Sequence, residues 1–315
     1  MTGGAALNSV KIKEIYSKIN RLREEKDVLI LAHLYQPLEI QRIADFCGDS
    51  FELAKKAKAS DRKNIVFCGV RFMAESAKIM NPDKAVYIPD KDAGCAMADM
   101  VTASDIVALK KKYPSAAVVC YINSGAETKA LCDMCVTSSN ALKIIKNMPQ
   151  NEIIFVPDKN LGSYIANRLP EKEFHIYSGY CPVHQHITAS QVKKVKEENP
   201  GWLFLVHPEC EPDVVKLSDF AGSTSAIIEY AHKSEAKSFI IGTDRAVYER
   251  LVEECPQKEF KLLAETLMCK DMKKTTPESL LKTLETLENE VVLEDDIMKS
   301  ARMCLDNMLE AGSRE

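Results

Sequence analysis

The sequence predicts an α/β protein of three αβα three-layer domains with parallel sheets, related by a pseudo-threefold axis. Two observations predict this fold. Apolar segments of strand length alternate with helical patterns along most of the chain, an order typical of parallel sheets covered by helices. The pattern also repeats: the polar residues that end a strand in each copy, His33, Tyr121 and His207, are separated by 88 and then 86 residues.

Each copy contains three predicted strands, with a helix after each of the first two. The first strands are Val28 to His33, Ala117 to Asn123 and Trp202 to His207. The second strands are Asn64 to Val70, Glu152 to Asp158 and Ser238 to Asp244. The third strands are Ala85 to Pro89, Glu173 to Tyr177 and Glu259 to Ala264. Short apolar runs with polar ends indicate buried strands of a parallel sheet.

Helices are predicted on both sides of the repeat. A helix from Lys11 to Glu25 carries on one face Ile12, Ile15, Ile19 and Leu22. Beyond the repeat, one helix begins at Thr276 and another runs from Glu294 to Leu309. We therefore expect an N-terminal helix in residues 1–26, domains at 27–100, 101–186 and 187–272, and C-terminal helices in 273–315.

Composition excludes several classes of protein. The chain has 315 residues and a net charge of −4, which argues against a generally basic nucleic-acid binder. No apolar run approaches the roughly 18 residues of a membrane span. The first ten residues lack the charged and then apolar plan of a signal peptide. We expect a cytoplasmic protein that binds neither nucleic acid nor membrane.

Polar side chains follow the first strand of each copy, where ligands bind in open parallel sheets. The strand ends carry His33 and Tyr35, then Tyr121, Ile122 and Asn123, then His207, Pro208 and Glu209. The next helices are predicted to begin near Ser50, Ser138 and Thr224. A helix start of this kind is either a plain N-cap or an anion site. Three such helix starts at corresponding positions of the repeat favour an anionic ligand with carboxylate or phosphate groups.

The third strand of each copy leads to a cysteine. Cys95, Cys181 and Cys269 recur 86 and then 88 residues apart, so a threefold arrangement would bring their thiols together. Three thiolates leave one position open on a tetrahedral zinc ion, or one iron uncovered on a four-iron cluster. These residues alone leave both metals open.

The other cysteines have simpler interpretations. Cys68 and Cys120 lie within apolar strands and are predicted core residues, and packing is expected for Cys47, Cys255 and Cys304. Cys210 follows Glu209 and is predicted to be core or site-lining. Cys132 and Cys135 form a C-x-x-C pair, for which a zinc or redox role is the less favoured alternative because no second pair follows. For His184 and His186 we expect a structural role or a hydrogen bond to a metal ligand.

The chain resembles the quinolinate synthase (NadA) family over nearly its whole length. The matching strings are His33-Leu-Tyr35-Gln36, Gly48-Asp49-Ser50, Gly69-Val-Arg-Phe-Met-Ala-Glu75, Ala93-Gly94-Cys95, Tyr121-Ile-Asn123, Thr137-Ser-Ser-Asn-Ala141, Pro157-Asp-Lys-Asn-Leu-Gly162, Gly179-Tyr-Cys-Pro-Val-His184, His207-Pro-Glu-Cys210, Gly222-Ser-Thr224 and Met268-Cys269. The resemblance implies three αβα domains around one [4Fe–4S] cluster with one open iron. The cluster ligands that the resemblance implies are Cys95, Cys181 and Cys269.

The resemblance also implies a transferase-type condensing and dehydrating synthase. Iminoaspartate and dihydroxyacetone phosphate would give quinolinate, phosphate and water for NAD biosynthesis, and an L-aspartate oxidase or dehydrogenase would supply iminoaspartate. The implied substrate-binding residues are His33, Ser50, Tyr121, Ile122, Asn123, Ser138, His207, Pro208, Glu209 and Thr224. We expect Glu209 to be the principal acid and base, with His207 orienting it or sharing its proton. Tyr35 and His33 are expected to handle protons and phosphate, and Tyr121 to hold substrate.

Three alternatives remain at this point. Another [4Fe–4S] hydro-lyase on the same scaffold could act on a different small acid. A zinc enzyme could use the same three thiols for hydrolysis. A non-enzymatic iron–sulfur sensor would need an effector surface, and the sequence contains no recognisable DNA-binding module.

Overall fold

Twelve strands and fifteen α-helices occur in the computed structural model, which describes residues 3–313 and the side chains of residues 11–312. The strands are β1 (Val28–His33), β2 (Phe46–Gly48), β3 (Asn64–Cys68), β4 (Ala85–Tyr87), β5 (Ala117–Tyr121), β6 (Met134–Val136), β7 (Glu152–Val156), β8 (Glu173–Ile176), β9 (Leu203–Val206), β10 (Phe220–Ala221), β11 (Ser238–Gly242) and β12 (Glu259–Leu262).

The helices alternate with these strands. They are α1 (Gly3–Glu25), α2 (Leu38–Ile43), α3 (Ser50–Ala59), α4 (Arg71–Met80), α5 (Ala103–Lys112), α6 (Ala126–Ala130), α7 (Ala141–Asn147), α8 (Lys159–Ala166), α9 (Pro182–Gln185), α10 (Ala189–Glu198), α11 (Pro212–Val215), α12 (Thr224–Lys233), α13 (Arg245–Glu254), α14 (Pro277–Thr286) and α15 (Asp295–Ser313). None of them, within residues 3–313, combines the length and apolar character that crossing a bilayer requires.

Three four-stranded parallel sheets confirm the predicted α/β three-layer architecture. Their strand orders are β2-β1-β3-β4, β6-β5-β7-β8 and β10-β9-β11-β12, so the same order occurs three times. In each sheet, the first predicted strand of the copy lies at an inner position, hydrogen-bonded on both sides. Burial on both faces explains why these strands are continuous apolar runs in the sequence.

Contacts divide the chain into two compact units. The first contains the described chain up to Gly94 together with Lys270–Leu293, and it holds the first sheet. The second contains Cys95–Cys269 and the described chain from Glu294, and it holds the other two sheets. Because two sheets share one unit, the division into three domains at the predicted boundaries stays a prediction.

The core of the first unit joins its flanking helices to its sheet. Ile15 and Ile19 of α1 pack with Ile30 and Val66 of the sheet and with Leu284 of α14. The predicted amphipathic face of α1 is therefore the buried face. Pro277 occupies the first turn of α14, and Thr276 caps that helix through the Ser279 N–H at 3.1 Å.

In the second unit, the third sheet has its own core. Phe204 and Val206 of β9 pack with Ile240 of β11, Val192 of α10 and Leu267. The C-terminal helix α15 packs against α6, α7 and β6 of the second sheet. It begins at Asp295 and extends beyond the predicted end at Leu309.

One short strand in each sheet was missing from the prediction. Strands β2, β6 and β10 contain only two or three residues, and each pairs with the first predicted strand of its copy. Segments of this length are too short to show a periodic pattern, and only pairing with a neighbour defines them as strands.

The second predicted strands end two residues early. Strands β3, β7 and β11 end at Cys68, Val156 and Gly242. The N-cap positions of the next helices are Val70, Asp158 and Asp244. The two aspartates accept backbone N–H groups of their helices, whereas Val70 has no capping side chain. The residues predicted to end the strands thus begin helices instead.

Candidate active site

A buried carboxylate lies beyond the carboxyl ends of β5 and β9 in the second unit. Glu209 is 4% exposed, and its two oxygens have different partners. The Tyr121 hydroxyl donates to Oε1 at 2.8 Å, while Nδ1 of His184 lies 2.9 Å from Oε2. Asn160 donates to the main-chain oxygen of Glu209 at 2.9 Å. The carboxylate is therefore held from several sides in one orientation.

The hydrogen bonds of His207 determine its tautomer. Its Nδ1 accepts the backbone N–H of Glu209 at 3.3 Å, so the proton of the neutral ring lies on Nε2. Nε2 is 3.3 Å from Oγ of Ser138. Burial lowers the pKa of His207 from 6.5 to about 4, which keeps the ring neutral near pH 7.

His184 is the histidine closer to the carboxylate; the sequence predicted a structural role or a hydrogen bond to a metal ligand for it, but not contact with Glu209. It is fully buried, and its Nδ1 lies between Oε2 of Glu209 at 2.9 Å and Sγ of Cys181 at 3.3 Å. Nε2 lies 3.1 Å from Oγ1 of Thr243. Nδ1 of His207 is farther from Oε2, at 3.7 Å. The only sequence signal for His184 was its place three residues after Cys181.

The pKa of Glu209 is lowered in spite of its burial. Burial by itself favours the protonated form, but the neighbouring histidines and the hydrogen bonds from His184 and Tyr121 outweigh it. Because His207 is neutral near pH 7, we attribute the effect there to the two hydrogen bonds. Glu209 is therefore an ionised base at neutral pH.

The thiols of Cys95, Cys181 and Cys269 belong to the same unit and to the same electrostatic neighbourhood. Burial raises the pKa of Cys95 to about 12, and charges at Cys269 and Glu209 add to the effect. Burial also raises the pKa of Cys181, with further contributions from Glu209 and Cys95. Each of the three residues keeps some exposed surface.

Two buried aspartates hold the cysteine loops. Oδ2 of Asp158 accepts the backbone N–H of Cys181 at 3.1 Å, and Oδ2 of Asp244 accepts that of Cys269 at 2.7 Å. The other oxygen of each carboxylate caps the following helix, α8 or α13. Each aspartate therefore ties a cysteine loop to a helix start, and the first copy has Val70 instead.

The remaining predicted residues of the second unit lie just after β5, just after β9 and at the start of α12. Asn123 has a buried Oδ1 without a hydrogen-bond partner among the described residues, as expected of an atom that awaits a ligand. Ile122 and Pro208 are buried. Thr224 is the first residue of α12, whose cap is Ser223.

The predicted helix start near Ser138 is wrong. Helix α7 begins at Ala141 behind Asn140, whose Oδ1 accepts the Thr137 N–H at 2.7 Å. A turn from Thr137 to Asn140 precedes the helix, so Ser138 lies in this turn with its hydroxyl near His207. Asn, Ser and Thr favour such turns because their side chains bond to nearby backbone.

The predicted residues of the first copy lie in the first unit. His33 is 5% exposed, its Nδ1 accepts the Tyr35 N–H at 3.1 Å, and the two rings meet edge to face at 4.8 Å. Ser50 is the first residue of α3, and Asp49 is its cap. The structure thus joins His33 and Tyr35 at one strand end.

A second group of thiols is buried in the second unit. The sulfurs of Cys120, Cys135 and Cys304 lie within 4.8 Å of one another, and such a group could hold a metal ion. All three side chains are fully buried, as predicted for a core position at Cys120. Cys120 precedes Tyr121 in β5, so the two side chains point to opposite faces of the sheet.

Parallel sheets whose strand ends carry an ionised carboxylate, a histidine and a tyrosine, next to a second histidine in α9 and to loop thiols, define this protein as an α/β enzyme. The chain belongs to the Quinolinate synthetase A protein family, whose profile matches residues 17–310.

Several relatives are similar over nearly their full length. A quinolinate synthase of Clostridioides difficile (strain 630) is 49% identical over 296 residues, which cover 94% of this chain and 97% of the relative. One of Caldicellulosiruptor bescii is 48% identical over 303 residues, with 96% and 100% covered. One of Geobacter metallireducens is 46% identical over 295 residues, with 94% and 97% covered.

Proposed function

We propose that the protein is a quinolinate synthase of de novo NAD biosynthesis. It condenses iminoaspartate with dihydroxyacetone phosphate, and quinolinate, phosphate and two molecules of water are the products. Family membership supports this reaction, and the observation that carries it to this chain is the Glu209 network beside three loop thiols. An L-aspartate oxidase or dehydrogenase would supply the iminoaspartate.

Glu209 is the proposed acid and base of the reaction. Forming a C–C bond next to an imine and eliminating water both require proton transfer at carbon and oxygen. An ionised, buried carboxylate with two fixed donors is suited to take up and return these protons. His184 keeps Oε2 in place, and the hydroxyl of Tyr121 does the same at Oε1.

His207 plays a different part in the proposal from the one expected. We expected it to orient Glu209 or to share its proton. Its Nδ1 instead receives the main-chain N–H of Glu209, so its Nε2–H is the donor that faces Ser138. We therefore assign His207, together with Ser138, Asn123 and Thr224, to the binding of substrate oxygens.

The thiols of Cys95, Cys181 and Cys269 are the proposed ligands of a [4Fe–4S] cluster. Three soft donors from three loops match a cluster that has one iron left open. When bound, such a cluster supplies a Lewis-acidic iron that polarises a substrate oxygen. The protein's own contribution is to hold the loops, through Asp158 and Asp244, and to place Glu209 near them.

His33, Tyr35 and Ser50 of the first unit are proposed to bind and protonate the phosphorylated substrate. Ser50 begins a ten-residue helix in which Asp49 already accepts the N–H groups of Phe51 and Glu52, so the hydroxyl of Ser50 is the proposed contact. We also propose the cytoplasm as the compartment, because eleven cysteines, none of which forms a disulfide among the described residues, suit a reducing environment.

Anaerobic turnover tests the proposal. Protein purified without oxygen should form quinolinate from the two substrates, with phosphate released in equal amount. Glu209→Gln should keep its iron and lose at least about 100-fold in kcat, the size of an acid–base contribution. Near-normal turnover of this variant would remove Glu209 from the role, and an unrelated product would point to a different hydro-lyase.

A further inference from the structure

The buried thiols on the other face of the second sheet form a cluster that the proposed reaction does not use. Cys120 in β5 and Cys135 in β6 are register partners in neighbouring parallel strands, so their side chains lie side by side. Cys304 reaches the same place from α15, with its sulfur 3.6 Å from that of Cys120. Cys132, at 2% exposure and three residues before Cys135, is the nearest candidate for a fourth thiol, and in this structure its Sγ donates to the main-chain oxygen of Thr128 at 3.1 Å.

We propose that Cys120, Cys132, Cys135 and Cys304 form a structural zinc site, separate from the proposed cluster ligands. Structural zinc sites are closed and tetrahedral and are commonly built from four thiolates. Zinc–sulfur bonds of about 2.3 Å place the sulfurs of such a site about 3.8 Å apart. The observed separation of 3.6 Å between Cys120 and Cys304 matches that edge, and Cys135 lies within 4.8 Å of both.

A buried cation beside the thiols favours negative charge there. Lys129 of α6 is fully buried, its Nζ donates to the carbonyl of Ser124, and its charge acts on Cys120 and Cys135. Four thiolates around Zn²⁺ carry a net charge of −2. A buried ammonium next to them offsets part of that charge, since buried charges require opposite charges nearby.

The four ligands come from three separate segments of the chain, and this gives the metal a structural role. Cys304 and Cys120 are 184 residues apart in the chain. One zinc ion would tie the C-terminal helix α15 to the inner and edge strands of the second sheet. Asn307 already joins the same helix to the main chain of Asp133 at 3.0 Å. Zinc binding stabilises the folded state because the unfolded chain does not present the four ligands together.

The test uses a background that cannot hold the proposed cluster. A triple variant with Cys95→Ser, Cys181→Ser and Cys269→Ser is washed with EDTA, and its zinc is measured by elemental analysis. We expect one zinc per chain, at the zinc–sulfur distance of about 2.3 Å in X-ray absorption. Adding Cys135→Ala or Cys304→Ala should lower the retained zinc at least tenfold. Adding Cys68→Ala, a buried cysteine of the first unit, is the matched control and should keep it.

Cobalt gives a readout that does not depend on these additional variants folding. Co²⁺ added to the apo form of the triple variant should produce the visible absorption of a tetrahedral thiolate complex, and Zn²⁺ should displace it. A triple variant that shows neither bound zinc nor this spectrum would overturn the proposal, as would zinc that persists in the Cys135 and Cys304 variants. Iron content and quinolinate formation of the wild-type protein report separately on the proposed function.

Discussion

The hydroxyl of Tyr121 donates a hydrogen bond to Oε1 of Glu209 at 2.8 Å, across 88 residues of sequence. Tyr121 ends an inner strand of one sheet, and Glu209 follows the corresponding strand of the next. Residues at the ends of corresponding strands therefore bond directly to each other, although the position that corresponds to Tyr121 in the repeat is His207 and the one that corresponds to Glu209 is Asn123. The repeat places a donor and an acceptor at the ends of equivalent strands, and the acid–base centre arises between them.

Tyr121→Phe should lower kcat strongly and the melting temperature only slightly. Loss of the donor leaves a buried carboxylate oxygen without one partner, which costs about 1–3 kcal/mol. We expect a decrease of about tenfold or more in kcat and a modest decrease in melting temperature. Tyr177→Phe is the matched control, because Tyr177 donates to the main-chain oxygen of Met100 in the same unit. An equal loss of activity in both variants would contradict the role of Tyr121.

Acid should destabilise the protein through His207. Its pKa is lowered by burial from 6.5 to about 4, so between these pH values the unfolded chain binds a proton that the folded chain does not. The free energy of unfolding therefore suffers no loss from His207 above pH 6.5. It falls as the pH decreases towards 4, by about 3 kcal/mol in total. Glu209, whose pKa is also lowered, adds its own loss only below about pH 4.5.

His207→Gln should remove this slope. The measurement is the free energy of unfolding in denaturant at several pH values between 4 and 7, compared between the variant and the wild-type protein. His232→Gln is the control, since this histidine is exposed and pairs with Glu254 at 2.9 Å. An unchanged slope in the His207 variant would show that the ring is not buried and neutral.

Asp158→Asn and Asp244→Asn should loosen the cysteine loops. Each substitution replaces a buried acceptor of two backbone N–H groups, and we expect a loss of about 1–3 kcal/mol in stability. The retained iron should also decrease, while the three cysteines remain in the chain. Asp213→Asn, at an exposed position, should change neither quantity. Full iron content in both buried variants would contradict a positioning role.

Each change of Cys95, Cys181 or Cys269 to serine should abolish the visible absorption of the proposed cluster. A hydroxyl is a poor ligand for iron in a site built for thiolates. Iron and sulfide analysis after anaerobic purification provides the measurement. The Cys255→Ser variant, changed elsewhere in the second unit, should retain its iron and its sulfide. A full complement of iron in any of the three ligand variants would exclude that cysteine.

Asn123→Ala should raise KM without lowering stability. Its buried Oδ1 has no partner among the described residues, so removing it takes away no internal hydrogen bond and relieves a desolvation cost. We expect KM to rise about tenfold, as for one lost hydrogen bond of about 1.4 kcal/mol. Asn160→Ala provides the contrast, because Asn160 bonds to Glu209 and Gln185 and its loss should lower the melting temperature. An unchanged KM in the Asn123 variant would argue against substrate contact.

Much of the fold was predictable because apolar runs of strand length alternate with helical patterns. The inner strands β1, β5 and β9 follow from their continuous apolar runs, and the helices α1 and α14 follow from the helical spacing of their apolar residues. The edge strands β2, β6 and β10 could not be predicted, because a segment of two or three residues becomes a strand only through hydrogen bonds to a neighbouring strand. The start of α7 was misplaced because Thr137 and Asn140 form a turn whose side chains compete with the helix for backbone groups.

The sequence by itself determined the class of fold, the threefold repeat and the positions of Glu209, His207 and Tyr121 at strand ends. Local periodicity and equal spacing are properties of the chain and require no knowledge of contacts. Only the tertiary structure decided that His184, rather than His207, holds the carboxylate, and that the sulfurs of Cys120, Cys135 and Cys304 lie within 4.8 Å of one another. Both depend on distances between segments far apart in sequence, and packing of sheets and helices sets those distances.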